Sequence, residues 1–379
     1  MQPRRDRHVL VTMTCNRAVS VVFALLVLSA LFAPMPPASA EPAVPEGFAP
    51  ASASWADADD GYVLGYAPCA GSRWCPVLLG TTDGGTRWQR LGAPSLSLPD
   101  NHNHVQLSYF GAGRAYVSDG NRLEATRDGG RTWSAVTLAD TGNAFYLGRI
   151  AETHGRTFAL LSTYGETGST RLYSGVAGTP LLAPVPGFVA TGGLTYGDLA
   201  VGGGLQVVLG ADYGVERYWT AADGEHLTPA PAPCPAGSTA ALGGVREGRV
   251  VALCSGSAGS PRPGSMTRGV RHAPGLGGEF TGTAQGPAQG IHQGFGAATA
   301  NSVTVAAVGG GADFLHGTDD GGATWHTTVL GDHGAGLADL DFPGTDTGIV
   351  VAGAPDDPNG SAVFRTTDGG RSWHELTIG

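Results

Sequence analysis

Thr366-Thr367-Asp368-Gly369-Gly370-Arg371-Ser372-Trp373 is the stretch whose reading decides the fold. It follows the apolar run Val363-Phe364-Arg365 and is followed by a last short strand pattern that ends at Ile378. That context places it at a hairpin turn between two strands. Asp-Gly and Gly-Gly are turn formers because glycine takes positive φ without steric cost. The Asp carboxylate accepts hydrogen bonds from N–H groups of its own turn, and the leading Thr hydroxyl does so more weakly. The closing Trp buries a large flat surface and needs a partner for its indole N–H. The phrase therefore combines a turn, an internal hydrogen-bond net and an apolar anchor.

Working outward, the same phrase recurs as Thr81-Thr82-Asp83-Gly84-Gly85-Thr86-Arg87-Trp88, Thr126-Arg127-Asp128-Gly129-Gly130-Arg131-Thr132-Trp133 and Thr318-Asp319-Asp320-Gly321-Gly322-Ala323-Thr324-Trp325. Self-similarity of this kind marks a repeat architecture. A second motif, strand then acidic turn then strand, appears in Trp55–Gly65, Tyr109–Val117 and Leu340–Gly353. Asp57, Asp59 and Asp60 could suggest a calcium loop, but the matching turns lack the carboxylate set, and plain turn chemistry is expected. Taken together the motifs define units at 53–92, 105–138, 144–185, 197–230, 238–283, 295–330 and 336–379. Their length, roughly 35–45 residues, is that of four-stranded propeller blades. Units three to five lack a clean corner; Leu172–Gly175 and Thr220-Ala221-Ala222-Asp223-Gly224 look like eroded versions. The expected fold class is all-β, a single seven-bladed β-propeller of antiparallel blades, with six or eight blades also fitting the spacing. Residues 41–52 form a lead-in, and 44–52 are a candidate closing strand.

The corner resembles the Asp-box, or bacterial neuraminidase repeat, Ser/Thr-x-Asp-x-Gly-x-Thr-Trp. Three copies match throughout; the first carries Arg87 where Thr or Ser is the rule. The resemblance implies a sialidase-like propeller in which the box joins the third and fourth strands of a blade, away from the catalytic face. Asp83, Trp88, Asp128, Trp133, Asp320, Trp325, Asp368 and Trp373 are accordingly expected to be structural, with no catalytic residue assigned. Sialidases add an arginine triad, a Tyr–Glu nucleophile pair and an Asp acid/base. Their Phe/Tyr-Arg-Ile-Pro tetrapeptide is absent here, and Arg73 is the sole arginine between residues 41 and 80. Tyr213 with Glu216 is at best an echo of the nucleophile pair. The organisation also resembles the photosystem II assembly and stability factor family, exported single propellers that hold a membrane-protein partner. That family presents an arginine patch, and no such cluster is visible in this sequence.

Residues 1–40 read as a cleavable signal peptide. Arg4, Arg5, Arg7 and Arg17 precede the apolar run Val19–Ala33, and Ala38-Ser39-Ala40 offers a cleavage site. The run is short for a membrane span. Export, a soluble monomer and no retained membrane span are expected. Beyond the leader, Cys69, Cys75, Cys234 and Cys254 form an even set in an exported chain, which points to disulfides. A Cys69–Cys75 bridge would close a tight loop, and Cys234–Cys254 would tie the start of unit five to its second strand. Free thiols and zinc are the alternatives; the spacing has no CxxC and no paired His, so no metal or other cofactor is assigned.

The chain carries 22 Lys plus Arg against 32 Asp plus Glu and contains no lysine. Loss of the leader removes four arginines and one acid and leaves a net charge of about −13. That excludes nucleic acid as a natural partner, whose phosphates need basic patches. Candidate ligand surfaces are the long connections Gly92–His104, Gly178–Tyr196 and Gly256–Gly294 and the channel mouth. Tyr146, Tyr164, Tyr173, Tyr196, Tyr213, Tyr218 and Trp219 could stack on sugar, although sheet packing explains them more simply. Asn101-His102-Asn103-His104 is a compact polar cluster, most simply a solvated loop. The expected function is a non-catalytic scaffold for a protein or glycan ligand. The alternatives are a sialidase-like glycoside hydrolase or a carbohydrate-binding propeller.

Overall fold

A computed structural model describes residues 42–98, 105–141, 145–163, 168–212, 217–256, 265–357 and 360–379. Every regular element in it is a β-strand. The strands form seven sheets, each built on four consecutive antiparallel strands. The protein is a seven-bladed β-propeller. The innermost strands are Ala49–Trp55, Gln106–Tyr109, Tyr146–Thr153, Thr195–Val201, Thr239–Arg246, Ile291–Ala297 and Leu337–Asp341. The first begins at Ala49, four residues ahead of the boundary expected at residue 53. Residues 49–52 are thus part of the first blade's own inner strand, and among the described residues no N-terminal strand joins the seventh blade.

Second strands read as continuous apolar runs because a blade is covered on both faces. In Gly348–Ala352, Ile349 and Val351 pack toward blade one, while Val350 and Ala352 pack toward blade six. The core accordingly does not sit at the centre. One apolar cluster lies at each of the seven joints between neighbouring blades, the seventh-to-first joint included. Full burial of side chains such as Leu64 or Val350 contributes about 2 kcal/mol each relative to exposure.

The seventh-to-first joint repeats the geometry of the first-to-second. After the outer strand of blade one, Leu91 donates its N–H to Leu78 O, and its side chain packs against Gly130 of the next corner. After the outer strand of blade seven, Leu376 donates to Val363 O and packs against Gly85 of the first corner. Trp133 Nε1 donates to Gly92 O at 2.8 Å, and Trp88 Nε1 donates to Thr377 O at 3.3 Å. Val44, Phe48 and Ile378 add an apolar clasp of both terminal segments over blade one. Among the described residues the seventh and first blades are joined by side-chain packing. One irregularity sits at the rim: Thr137–Leu138, beyond the outer strand of blade two, pairs in parallel with Leu181–Leu182 of blade three.

Candidate functional site

All four corners share one geometry. In the last, Asp368 Oδ1 accepts the Thr366 hydroxyl at 2.7 Å and the Ser372 N–H at 2.9 Å, and Oδ2 accepts the Ser372 hydroxyl at 2.6 Å. Thr366 Oγ1 in turn accepts the Gly370 N–H at 3.0 Å. Equivalent bonds run from Gly85, Gly130 and Gly322 to Thr81, Thr126 and Thr318. Both corner glycines lie at positive φ, 74° and 95° for Gly369 and Gly370, where a side chain is strained. In the first corner the Arg87 guanidinium, at 2.7 Å from Asp83 Oδ2, does the work of the missing hydroxyl. The first glycine of each corner donates to the turn between its blade's first two strands, at Asp59, Gly113, Asn301 or Asp346. Asp57 Oδ1 is occupied by the Asp59 and Asp60 N–H groups.

These contacts hold the corner carboxyls well below the usual range. Arg87 brings Asp83 to about 2, the Thr132 hydroxyl Asp128 to about 2, and the Thr324 hydroxyl Asp320 to about 2. For Asp368, burial acts the other way but is outweighed by Ser372 and Thr366, again giving about 2. The acids are turned into their own turns, and the four corners lie in four different blades.

The eroded corners keep fragments of this chemistry. In blade four, Asp223 accepts the Glu225 and His226 N–H groups and pairs with His226 Nδ1 at 2.6 Å, so histidine takes the hydroxyl's place in a turn one residue shorter. Leu227 and, in blade five, Phe280 pack where tryptophan stands elsewhere. Blade three has a plain turn at Ala177–Pro180, which leaves Val176 and Leu181 exposed.

Because the strands alternate in direction, the corners gather at one end of the ring. The second-to-third hairpins and the blade-to-blade connections lie at the other. There Cys69 is bonded to Cys75 (Cα–Cα 5.9 Å) in a hairpin where Arg73 lies 5.9 Å over the Trp74 ring. Cys234 is bonded to Cys254 (Cα–Cα 5.4 Å) at the base of blade five. Such bonds suit an oxidising compartment. Residues 1–40, Asn101–His104, Tyr164, Tyr213, Glu216 and residues 257–264 lie outside the described residues. Of the other aromatics, Tyr173 and Tyr218 are buried in blade joints, and Tyr218 donates to Gln206 Oε1 at 2.8 Å. Trp219 is half-buried and packs against Phe188 (centroids 4.9 Å apart, planes tilted by 58°) and under Arg217 (5.5 Å).

The inner strands carry a polar belt that the motif reading did not single out. Arg149 of blade three pairs with Asp198 of blade four at 3.3 Å. Asp198 also accepts the Leu242 N–H of blade five at 2.7 Å. Asp339 of blade seven accepts the Ser52 hydroxyl at 2.5 Å and the Ala53 N–H at 3.0 Å, both from blade one. Ser52 Oγ in turn accepts the Leu107 N–H of blade two at 2.8 Å. Arg246 of blade five donates to Phe342 O of blade seven at 2.9 Å. A sequence signal did exist: a lone charge beside glycine in a first strand, Gly148-Arg149 and Gly197-Asp198. Bulges at Leu147/Arg149 and Ala338/Asp341 turn these groups, and Asp339 sits at φ 54°. Burial pushes the Asp339 carboxyl up to about 6, against the pull of Ser52 and Ala53. Burial likewise raises Asp198, with Arg149 partly offsetting it.

No family profile matches the chain, and no curated protein does. Solved structures do. The BP39L lectin from Burkholderia pseudomallei aligns with TM-score 0.57 at 13% identity, over 86% of this chain and 97% of the lectin. YCF48 bound to D1 peptide aligns with TM-score 0.53 at 18% identity, over 86% of this chain and 95% of YCF48. A polysaccharide lyase of family PL25, an ulvan lyase, aligns with TM-score 0.50 at 11% identity, over 84% and 94%. At these identities the likeness shows the shared propeller fold alone.

Proposed function

We propose that the chain is an exported Asp-box propeller that acts as a non-catalytic scaffold, binding a protein or glycan partner at the end of the ring opposite its corners. The observation that carries this reading is how four ionisable groups of the polar belt, Arg149, Asp198, Arg246 and Asp339, are used. Arg149 and Asp198 satisfy each other, Asp339 is held by blade one, and Arg246 is bound to a backbone carbonyl. A glycoside hydrolase needs two carboxyl groups flanking one open space, whereas these serve as ties between blades. The corners support the Asp-box reading: their acids face their own turns. Residues 1–40 have the composition of a leader, and two disulfides fit export through an oxidising compartment.

The neighbouring lectin and the peptide-bound propeller are consistent with either ligand class. The test is a panel of fluorogenic sialosides, β-glucans and uronate polymers together with a glycan array, run on purified protein. Glycan binding without turnover selects the lectin-like branch, and silence on both selects a protein partner. Turnover that disappears on substitution of Asp198 or Asp339 alone would overturn the proposal.

A further inference from the structure

A tryptophan at each Asp-box corner fills the wall against the preceding blade. Trp133 lies on Gly92 of blade one, Trp88 on Thr377 of blade seven and Trp325 on Gly286 of blade five, while Trp373 joins the cluster shared by blades six and seven. Leu227 and Phe280 stand in for it in blades four and five. Blade three has no such residue, because a plain turn, Ala177–Pro180, joins its third and fourth strands. Between that turn and the corner of blade two lies a cleft of about 260 Å³. Arg127, Asp128, Thr132 and Ser134 of blade two line one side, and residues 178–180 of blade three line the other.

Both walls are fixed. Thr137 donates its N–H to Pro180 O at 2.7 Å and Ala139 to Leu182 O at 3.0 Å, so the parallel pairing of Thr137–Leu138 with Leu181–Leu182 holds the turn against blade two. Gly178 sits at φ 73° with its N–H on the Tyr116 hydroxyl at 3.2 Å. Its missing side chain makes room for the Arg127 side chain: a Cβ on Gly178 would lie 2.9 Å from Arg127 Nε. Arg127 is exposed and, among the described residues, forms no hydrogen bond or ion pair. The other three corners carry Thr82, Asp319 and Thr367 at its position. The Ser134 hydroxyl is also exposed and has no partner among the described residues. The remaining polar atoms are acceptors. Thr132 Oγ1 has given its proton to Asp128 Oδ2, and Thr179 Oγ1 has given its own to Val176 O at 2.8 Å.

We propose that this cleft binds a small hydroxy acid of the class of a single uronic acid. The ligand carboxylate takes the Arg127 guanidinium, whose paired N–H groups match two carboxylate oxygens. Ligand hydroxyls donate to the oxygens of Thr132 and Thr179 and accept from Ser134. The cleft is smaller than the pockets of roughly 300–1,000 Å³ that take drug-sized ligands, which limits the ligand to about one sugar ring. A neutral sugar would leave the guanidinium unpaired, and a bare carboxylate would leave the hydroxyl oxygens unmet. A phosphate or sulfate ester would place more negative charge beside the Asp128 carboxylate in the same wall. The cleft lies at the corner end of the ring, so this inference goes beyond the partner surface proposed at the other end and does not depend on it.

The test is a saturation-transfer NMR titration of the full purified chain at constant ionic strength, with sodium glucuronate, sodium galacturonate, glucose and sodium acetate. The better uronate is expected to bind with a dissociation constant of roughly 1 mM, and glucose and acetate at least about ten-fold more weakly. Arg127→Gln weakens uronate binding at least about ten-fold. Arg131→Gln, in the same corner but outside the cleft lining, leaves it unchanged. Should Arg127→Gln fail to fold, Ser134→Phe fills the cleft from the same wall and is expected to abolish binding. Four results overturn the proposal: neither uronate binding below about 20 mM, glucose or acetate matching the uronates, an equal loss in Arg131→Gln, or uronate binding that survives both cleft variants. The last result would leave the partner reading at the opposite end of the ring standing.

Discussion

Replacing Asp339 by Asn is expected to stabilise the protein at neutral pH and to leave it unchanged in acid. Asp339 closes the belt between blades seven and one, and burial raises its carboxyl from the ordinary 3.8 to about 6. The sign follows from proton binding. Between about pH 4 and 6 the folded state holds a proton that the unfolded state has released, so stability falls as pH rises through that window. Below it the group is neutral in both states and contributes nothing. Above it the full difference, about 2 pK units at 1.36 kcal/mol each, amounts to about 3 kcal/mol of destabilisation. The carboxylate is partly open to channel water, which makes that figure an upper bound. Asn keeps an oxygen to accept the Ser52 hydroxyl and the Ala53 N–H, although it forfeits the charge assistance to those bonds, about 1 kcal/mol. A net gain of about 1–2 kcal/mol at pH 7.5, shrinking to zero near pH 4, is the expected outcome. Urea unfolding of both proteins at the two pH values measures it. Arg149 and Asp341 also act on Asp339, so Arg149→Gln serves as a control for the local field. An Asn variant less stable than the parent at pH 7.5 would refute the reasoning: the charge would then be a net tie rather than a burden.

Two further outcomes follow from the corners and the disulfides. Asp368→Ala removes three hydrogen bonds and is expected to cost about 2 kcal/mol, a fall in Tm of about 3 °C by calorimetry. Because the corner carboxyls are depressed to about 2, their ionic stabilisation is present above pH 4 and lost as pH falls through 2; the cost of Asp368→Ala should therefore shrink steadily between pH 4 and 2. Partial reduction followed by alkylation and peptide mapping should label Cys69 and Cys75, in an exposed hairpin, before Cys234 and Cys254, which are 8% and 7% exposed. Labelling in the reverse order would contradict the burial of the second pair.

The fold was legible because its defining unit is local. Thr366, Asp368, Gly370 and Ser372 satisfy one another within seven residues, so composition and spacing alone reveal the joint. Blade four was harder, since His226 replaces a hydroxyl and the turn is shorter by one residue. The polar belt escaped motif reading for the opposite reason. Ser52 and Asp339 are 287 positions apart, and only closure of the ring brings them to 2.5 Å. Likewise nothing local in Thr137–Leu138 announces its parallel pairing with blade three. Arg268 looks like any strand arginine until the connection 287–290 is seen folded over it.

Amide hydrogen exchange at the corner glycines tests most directly whether the recurring turns are joints of the ring. The N–H groups of Gly85, Gly130, Gly322 and Gly370 are each bonded to a threonine hydroxyl. They should exchange only through global unfolding, while the exposed tip Ala70–Gly71 exchanges freely. Corner amides exchanging as fast as that tip would show mobile surface loops in place of joints.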